Sequence, residues 1–253
     1  MTAPLWRRAV AEALGTGLLV AVIVGSGITA ERLSADAGLR LLENSIATAL
    51  GLFAIIVLLA PVSGAHLNPA VTAADAMLRR VRVGEALAYV AAQLAGAVCG
   101  ALLAGAMFAQ PVALSSTPRA EPATFLAEVV ATAGLVLLIT GLVRTRAAIA
   151  VIAAAVGAYI GAAYWFTSST SFANPAVTLG RVFTDTFSGI APASAAAFVL
   201  AQCLGAAAGT VLTLVLFPRG ASPEGSSGRR ELPPAQSENP RISRGFHGGD
   251  GGI

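Results

Sequence analysis

His66-Leu67-Asn68-Pro69-Ala70-Val71-Thr72 and Phe172-Ala173-Asn174-Pro175-Ala176-Val177-Thr178 are one motif written twice, and each copy lies within a long stretch free of charge. Proline suits the first turn of a helix, where its missing N–H would be unbonded in any case. Each motif therefore reads as a helix start. The helices predicted from it, 68–79 and 174–184, are too short to cross a bilayer, which takes about 20 residues.

Outward from these motifs the chain is apolar almost throughout. Of 253 residues 56% are hydrophobic and 11% charged, and the mean hydropathy is +0.76. An average soluble domain carries about 25% charged residues. Residues 44–74, 86–118, 147–180 and 186–218 hold no charge, 9–30 hold only Glu12, and 122–143 only Glu128. The reading is an all-α membrane protein with six spanning helices near 7–28, 41–61, 84–108, 122–143, 147–166 and 193–217. Arg7-Arg8 before an apolar run imitates a secretory signal, but Glu12 interrupts the run early, so the segment reads as a retained first helix.

All 16 basic residues are Arg. Arg7, Arg8, Arg79, Arg80, Arg82, Arg144, Arg146 and Arg219 fall on one side of the six spans, against Arg32, Arg40, Arg119 and Arg181 on the other. That bias places both termini in the cytoplasm. Residues 219–253, rich in Gly, Ser, Pro and Arg, read as a disordered cytoplasmic tail. The Arg residues form no basic stripe with interleaved aromatics, so nucleic acid is not a partner.

Three landmarks recur in the same order. Ala11-Glu12 with Thr16 matches Ala127-Glu128 with Thr132; the two Asn-Pro-Ala motifs match; and Ala92-Gln93 with Gly96 and Gly100 matches Ala201-Gln202 with Gly205 and Gly209. The repeats are 1–110 and 111–218. Each holds an odd number of spans, so the second enters the membrane from the opposite face and the repeat is inverted. The two half-helices then meet start to start near the midplane. The paired small faces Gly96/Gly100 and Gly205/Gly209 suit close crossing, expected here against the opposing half.

Non-helical backbone survives at membrane depth only where protein buries it or a watered cavity hydrates it. The segments before each motif, 63–67 and 167–173, are such backbone, and their carbonyls can line a narrow path. Each half-helix start presents about half a positive charge. Asn68 and Asn174 stand there with side-chain amides able to donate to a passing oxygen, in a setting that repels cations.

With these elements in place the chain resembles the aquaporin, or major intrinsic protein, family over about residues 7–217. The resemblance implies a pore lined at its motifs by Asn68, Pro69, Ala70, Asn174, Pro175 and Ala176. It further implies a carbonyl ladder from Gly64, Ala65, His66, Thr170, Ser171 and Phe172, loops braced by Glu12 and Glu128, and four copies of the chain per assembly. The family's outer filter is expected at Thr48, Ala162, Ser171 and Val177. In water- and glycerol-conducting members the residue after the second motif is Arg; here it is Val177, a feature resembling a bacterial metalloid-associated, aquaglyceroporin-like branch. Val removes a permanent charge and a fork of donors, which predicts a wider, donor-poor opening, unless Arg181 one turn further along folds back to substitute.

The expected function is a passive channel in the bacterial inner membrane for small neutral solutes: glycerol-like polyols, urea, arsenite and other metalloid hydroxides, methylated arsenicals, and water. A mainly water-conducting channel is the alternative, and an ion-coupled transporter a more distant one, since only Glu12 and Glu128 could couple ions. The chain offers no nucleophile–base set, metal cluster or phosphate loop, so neither an enzyme nor a cofactor or metal is expected. Cys99 and Cys203 in apolar stretches imply no disulfide framework.

Overall fold

The computed structural model describes residues 3–218; the tail assigned to 219–253 lies outside them. Eight α-helices follow in order: α1 Leu5–Leu33, α2 Ala37–Ser63, α3 Pro69–Met77, α4 Val83–Met107, α5 Pro122–Arg144, α6 Ile149–Phe166, α7 Pro175–Gly180 and α8 Pro192–Leu216. A 3-10 turn, Arg181–Phe183, continues α7. All but α3 and α7 are long and apolar enough to cross a membrane.

The local chemistry sets these boundaries. Proline opens α3, α5, α7 and α8. The Asp36 carboxylate caps α2 by accepting the Leu39 N–H at 2.7 Å, which starts that helix earlier than hydropathy alone predicts. Pro61 removes one donor without stopping the chain. α2 runs on to Ser63 and ends where Gly64 turns left-handed at φ 91°. The half-helices are shorter than the expected 68–79 and 174–184, because Asn68 and Asn174 are caps rather than helical residues. α3 stops as Arg79 takes φ 56°, and α7 tightens into the 3-10 turn.

Burial is inverted relative to a water-soluble protein. Leu14, Leu50, Leu58, Leu200 and Val215 are exposed, while Glu12, Gln93, Glu128 and Gln202 are fully buried. Exposed apolar area on that scale needs a hydrocarbon solvent. The molecule is an integral, multi-pass membrane protein.

The glycine pairs pack differently from expectation. A Cβ on Gly96 or Gly100 would lie 2.1 Å from the Ala13 or Gly17 carbonyl oxygen, and on Gly205 or Gly209 within 2.6 Å of the Val129 or Ala133 oxygen. So α4 crosses α1 and α8 crosses α5, each inside its own half. The two halves join elsewhere: α2 packs on α6, α7 on α4, and α3 on α8. Gly180 makes the α7–α4 approach, with a Cβ there only 2.8 Å from the Ala97 oxygen. The reason is geometric. The long helices cross closely enough to need glycine within each half, and between the halves at α6 on α2, where a Cβ on Gly157 would lie 2.7 Å from the Ala49 oxygen; the half-helices also reach across.

Candidate functional site: a cavity between two helix starts

Two buried carboxylates fix the backbone before each half-helix. Glu12 accepts from Ser63 Oγ at 2.6 Å, the His66 and Leu67 N–H groups at 3.0 and 2.7 Å, and Gln93 Nε2 at 2.8 Å. Glu128 accepts from Ser169 Oγ at 2.7 Å, the Phe172 and Ala173 N–H groups at 2.8 and 2.9 Å, and Gln202 Nε2 at 2.6 Å. A buried carboxylate is stable only when its lone pairs are met, and here loop and helix donors meet them. The same donors hold the loops in an uncommon shape. Gly64, Ala65 and Leu67 in one loop, and Thr170, Ser171 and Ala173 in the other, have φ between 47° and 91°. Left-handed backbone at non-glycine residues costs on the order of 1–3 kcal/mol each.

That shape frees carbonyls. The oxygens of Gly64, Ala65, His66, Thr170, Ser171 and Phe172 accept no hydrogen bond from any described residue. Ala65, His66, Ser171 and Phe172 line a cavity. Its remaining wall is mostly apolar, including Leu19, Ile23, Leu52, Leu135, Val156 and Ile160.

Asn68 and Asn174 stand in the middle of this wall. Each side-chain oxygen caps its own helix, accepting the Ala70 N–H at 2.8 Å or the Ala176 N–H at 2.9 Å. Each amide nitrogen donates across the molecule, Asn68 Nδ2 to the Ala173 oxygen and Asn174 Nδ2 to the Leu67 oxygen, both at 2.8 Å. This reciprocal pair holds two like-poled helix starts face to face, the geometry an inverted repeat produces. Each NH2 group has a second hydrogen left over for the cavity.

The ends of the cavity differ. At one end His66 Nε2 lies 3.3 Å from Asp75 Oδ2, and Arg80 Nη1 lies 3.3 Å from Asp75 Oδ1. This end opens into a second hollow lined by Gly64, Asp75, Val143 and Ile152, which shares Ile56, Ala65, His66, Val71, Ile139 and Val156 with the first. At the other end stand Thr48, Tyr164, Phe172, Val177 and Arg181. Thr48 Oγ1 and the Tyr164 hydroxyl are 3.1 Å apart. The Arg181 guanidinium carbon lies 3.4 Å from the Phe172 ring centroid, and that of Arg119 lies 5.5 Å from the same ring. Burial pushes the Arg119 guanidinium below its ordinary range.

The family model for "Major intrinsic protein" matches residues 1–168. The chain belongs to the major intrinsic protein family. It is 52% identical to "Aquaglyceroporin AqpS" of Rhizobium meliloti (strain 1021) over 204 residues, 80% of this chain and 86% of that protein. It is 40% identical to the "Glycerol uptake facilitator protein" of Escherichia coli (strain K12) over 102 residues, 40% of this chain and 36% of that one. Among solved structures, the aquaglyceroporin from Plasmodium falciparum superposes with a TM-score of 0.64 at 23% identity, covering 83% of this chain and 95% of that chain.

For this member of the family, Thr48, Ser171 and Val177 lie together on the cavity wall. Ala162 does not join them. It sits on the exposed face of α6, because the cavity-facing positions of that helix follow the spacing Val156, Ile160, Tyr164, and 162 falls on the opposite side. Tyr164 holds the place expected of Ala162. A period-four row ending in a large polar-tipped residue was the signal that pointed to it. Arg181 lines the same cavity as Val177.

Proposed function

We propose that the chain is a passive channel for small neutral solutes wider than water, set in a bacterial inner membrane with both termini cytoplasmic. The observation that carries this reading is the cavity itself: unpaired carbonyls on one side, apolar side chains on the other, and two cross-bonded helix starts at its middle. A solute with hydroxyl groups exchanges its water for the free carbonyls and the Asn68 and Asn174 amides, while its carbon or metalloid face slides along Leu52, Val156 and Ile160. Polyols such as glycerol fit this two-sided wall, and so do urea, arsenite as As(OH)3 and methylated arsenicals. Val177, short and uncharged, leaves room that an Arg at that position would fill.

The resemblance to aquaglyceroporins supports the solute class, and the Rhizobium relative supports a bacterial setting. The Arg bias gives the orientation, which makes the Asp75 end inner and the Arg181 end outer. Membership of the family supports a homotetramer with one path per copy, and a channel rather than an enzyme. Ion coupling is disfavoured because Glu12 and Glu128 are both occupied in holding loops. The test is uptake of labelled glycerol and arsenite by cells lacking their own channels. A channel gives uptake that rises linearly with concentration and ignores collapse of the proton gradient. Saturable uptake that stops with the gradient would replace this reading with a transporter.

A further inference from the structure

Among the described residues, Asp75 on α3 is the carboxylate that lines the inner hollow. Its side chain is 16% exposed, and the rest of that wall is mostly apolar, including Ile56, Val71, Val143 and Ile152. Much of its acceptor capacity is unspent. Glu12 and Glu128 each accept from four donors at 3.0 Å or less. Asp75 has only Arg80 Nη1 at one oxygen and His66 Nε2 at the other, both at 3.3 Å. An ionised carboxyl offers about four lone-pair sites.

His66 brings less than its distance suggests, and the second half of the chain shows why. Thr178 Oγ1 donates to the Asn174 oxygen at 2.9 Å and takes a hydrogen from Gln202 Nε2 at 2.9 Å, beside Phe172, where no ring nitrogen competes. Thr72 makes the same two bonds, to the Asn68 oxygen and from Gln93 Nε2, both at 3.0 Å. Its hydrogen is thus placed, and only a lone pair is left for His66 Nδ1 at 3.1 Å. In a neutral imidazole the single hydrogen then sits on Nδ1, and Nε2 faces Asp75 with none to give. One oxygen of Asp75 is left without a donor from the described residues, in a wall where a carboxylate needs one. Arg80, tied to α5 through the Thr140 oxygen at 3.3 Å, offsets the charge, so the site draws hydrogens rather than cations.

We infer that Asp75 is a specificity-determining residue of the inner mouth, its two oxygens together accepting a pair of parallel hydrogens from one neutral solute. This rests on the channel reading. Two N–H groups of urea, or two hydroxyls on one metalloid atom, present such a pair, as a guanidinium does to a carboxylate. The solute exchanges two waters for those bonds while its other face meets Val71 and Ile152.

The experiment uses the full chain in proteoliposomes, as wild type, Asp75→Asn and Asp75→Ser. Reswelling is followed under gradients of urea and of acetamide, a near-isostere in which a methyl group replaces one NH2, and each rate is taken above that of empty vesicles. Wild type passes urea faster than acetamide by about threefold or more. Asparagine keeps an oxygen for Arg80 but puts a donor in place of the second acceptor, so it pairs with acetamide as well as with urea, and the two rates converge. Serine has no paired acceptors, gives the same convergence, and decides the matter if the asparagine variant does not fold. Damage to folding or yield scales both rates and leaves their ratio unmoved. A wild-type ratio retained in the variants, or a wild type without preference, would overturn the assignment of Asp75. Wild-type vesicles that admit neither solute faster than empty ones would instead overturn the channel reading.

Discussion

Val177 donates its N–H to the Asn174 cap at 3.2 Å and is buried on the cavity wall one turn before Arg181. Any longer side chain there must point into the path or displace its neighbours in the wall. Val177→Arg should therefore cut glycerol reswelling by about tenfold or more and water efflux by less, since water needs the narrower gap. Equal loss of both would remove Val177 from the constriction. The paired carboxylates make a separate prediction. Glu128→Ala leaves two buried backbone N–H groups, the Ser169 hydroxyl and one hydrogen of the Gln202 amide without the acceptor they now use, the other Gln202 hydrogen staying on Thr178. At about 1–3 kcal/mol for each orphaned donor, the loss should reach about 3 kcal/mol or more. Glu12→Ala should cost a similar amount, because its donor set is the same. Thermal unfolding in detergent reads both, and a large inequality would break the equivalence of the two loops.

At the scale of the helices, the glycine positions sort into those that cannot take a side chain and those that can. Gly96 and Gly100 face backbone oxygens at 2.1 Å from any Cβ, whereas nothing lies within 4 Å of one on Gly84. Gly96→Val should drive α4 off α1 and sharply lower the yield of monodisperse protein. Gly84→Ala should be tolerated, with a gain of about 0.5 kcal/mol from helix propensity. The spans and the two helix starts were legible because charge-free runs and Asn-Pro pairs are local signals. Which helix each glycine pair met was not, because Gly96 carries no mark of its partner; only the three-dimensional crossing distinguishes Ala13 from a residue of the other half. Ala162 failed for a related reason. Counting from Asn174 cannot give the rotation of α6, and two residues, about half a helical turn, separate lining Ile160 and Tyr164 from exposed Ala162.

Across the whole molecule, the inverted repeat is close in its backbone and broken in its charges. Glu12 and Glu128, the left-handed loop residues, and the crossed Asn68 and Asn174 amides all recur in pairs. His66 against Phe172, and Asp75 against Arg181, do not. The pairing was readable from the sequence because duplication leaves matched residues. The polarity was not, because it depends on Asp75 pairing with Arg80 while Arg181 forms no ion pair among the described residues. Symmetry thus builds the path, and its violations give the two ends different chemistry. The central claim is that this path carries neutral solutes wider than water. Stopped-flow light scattering on proteoliposomes facing an inward glycerol gradient tests it most directly, since one trace shows shrinkage as water leaves and reswelling as solute enters. The account predicts reswelling far faster than in empty vesicles. Fast shrinkage followed by reswelling no faster than in empty vesicles would contradict it and leave a water channel.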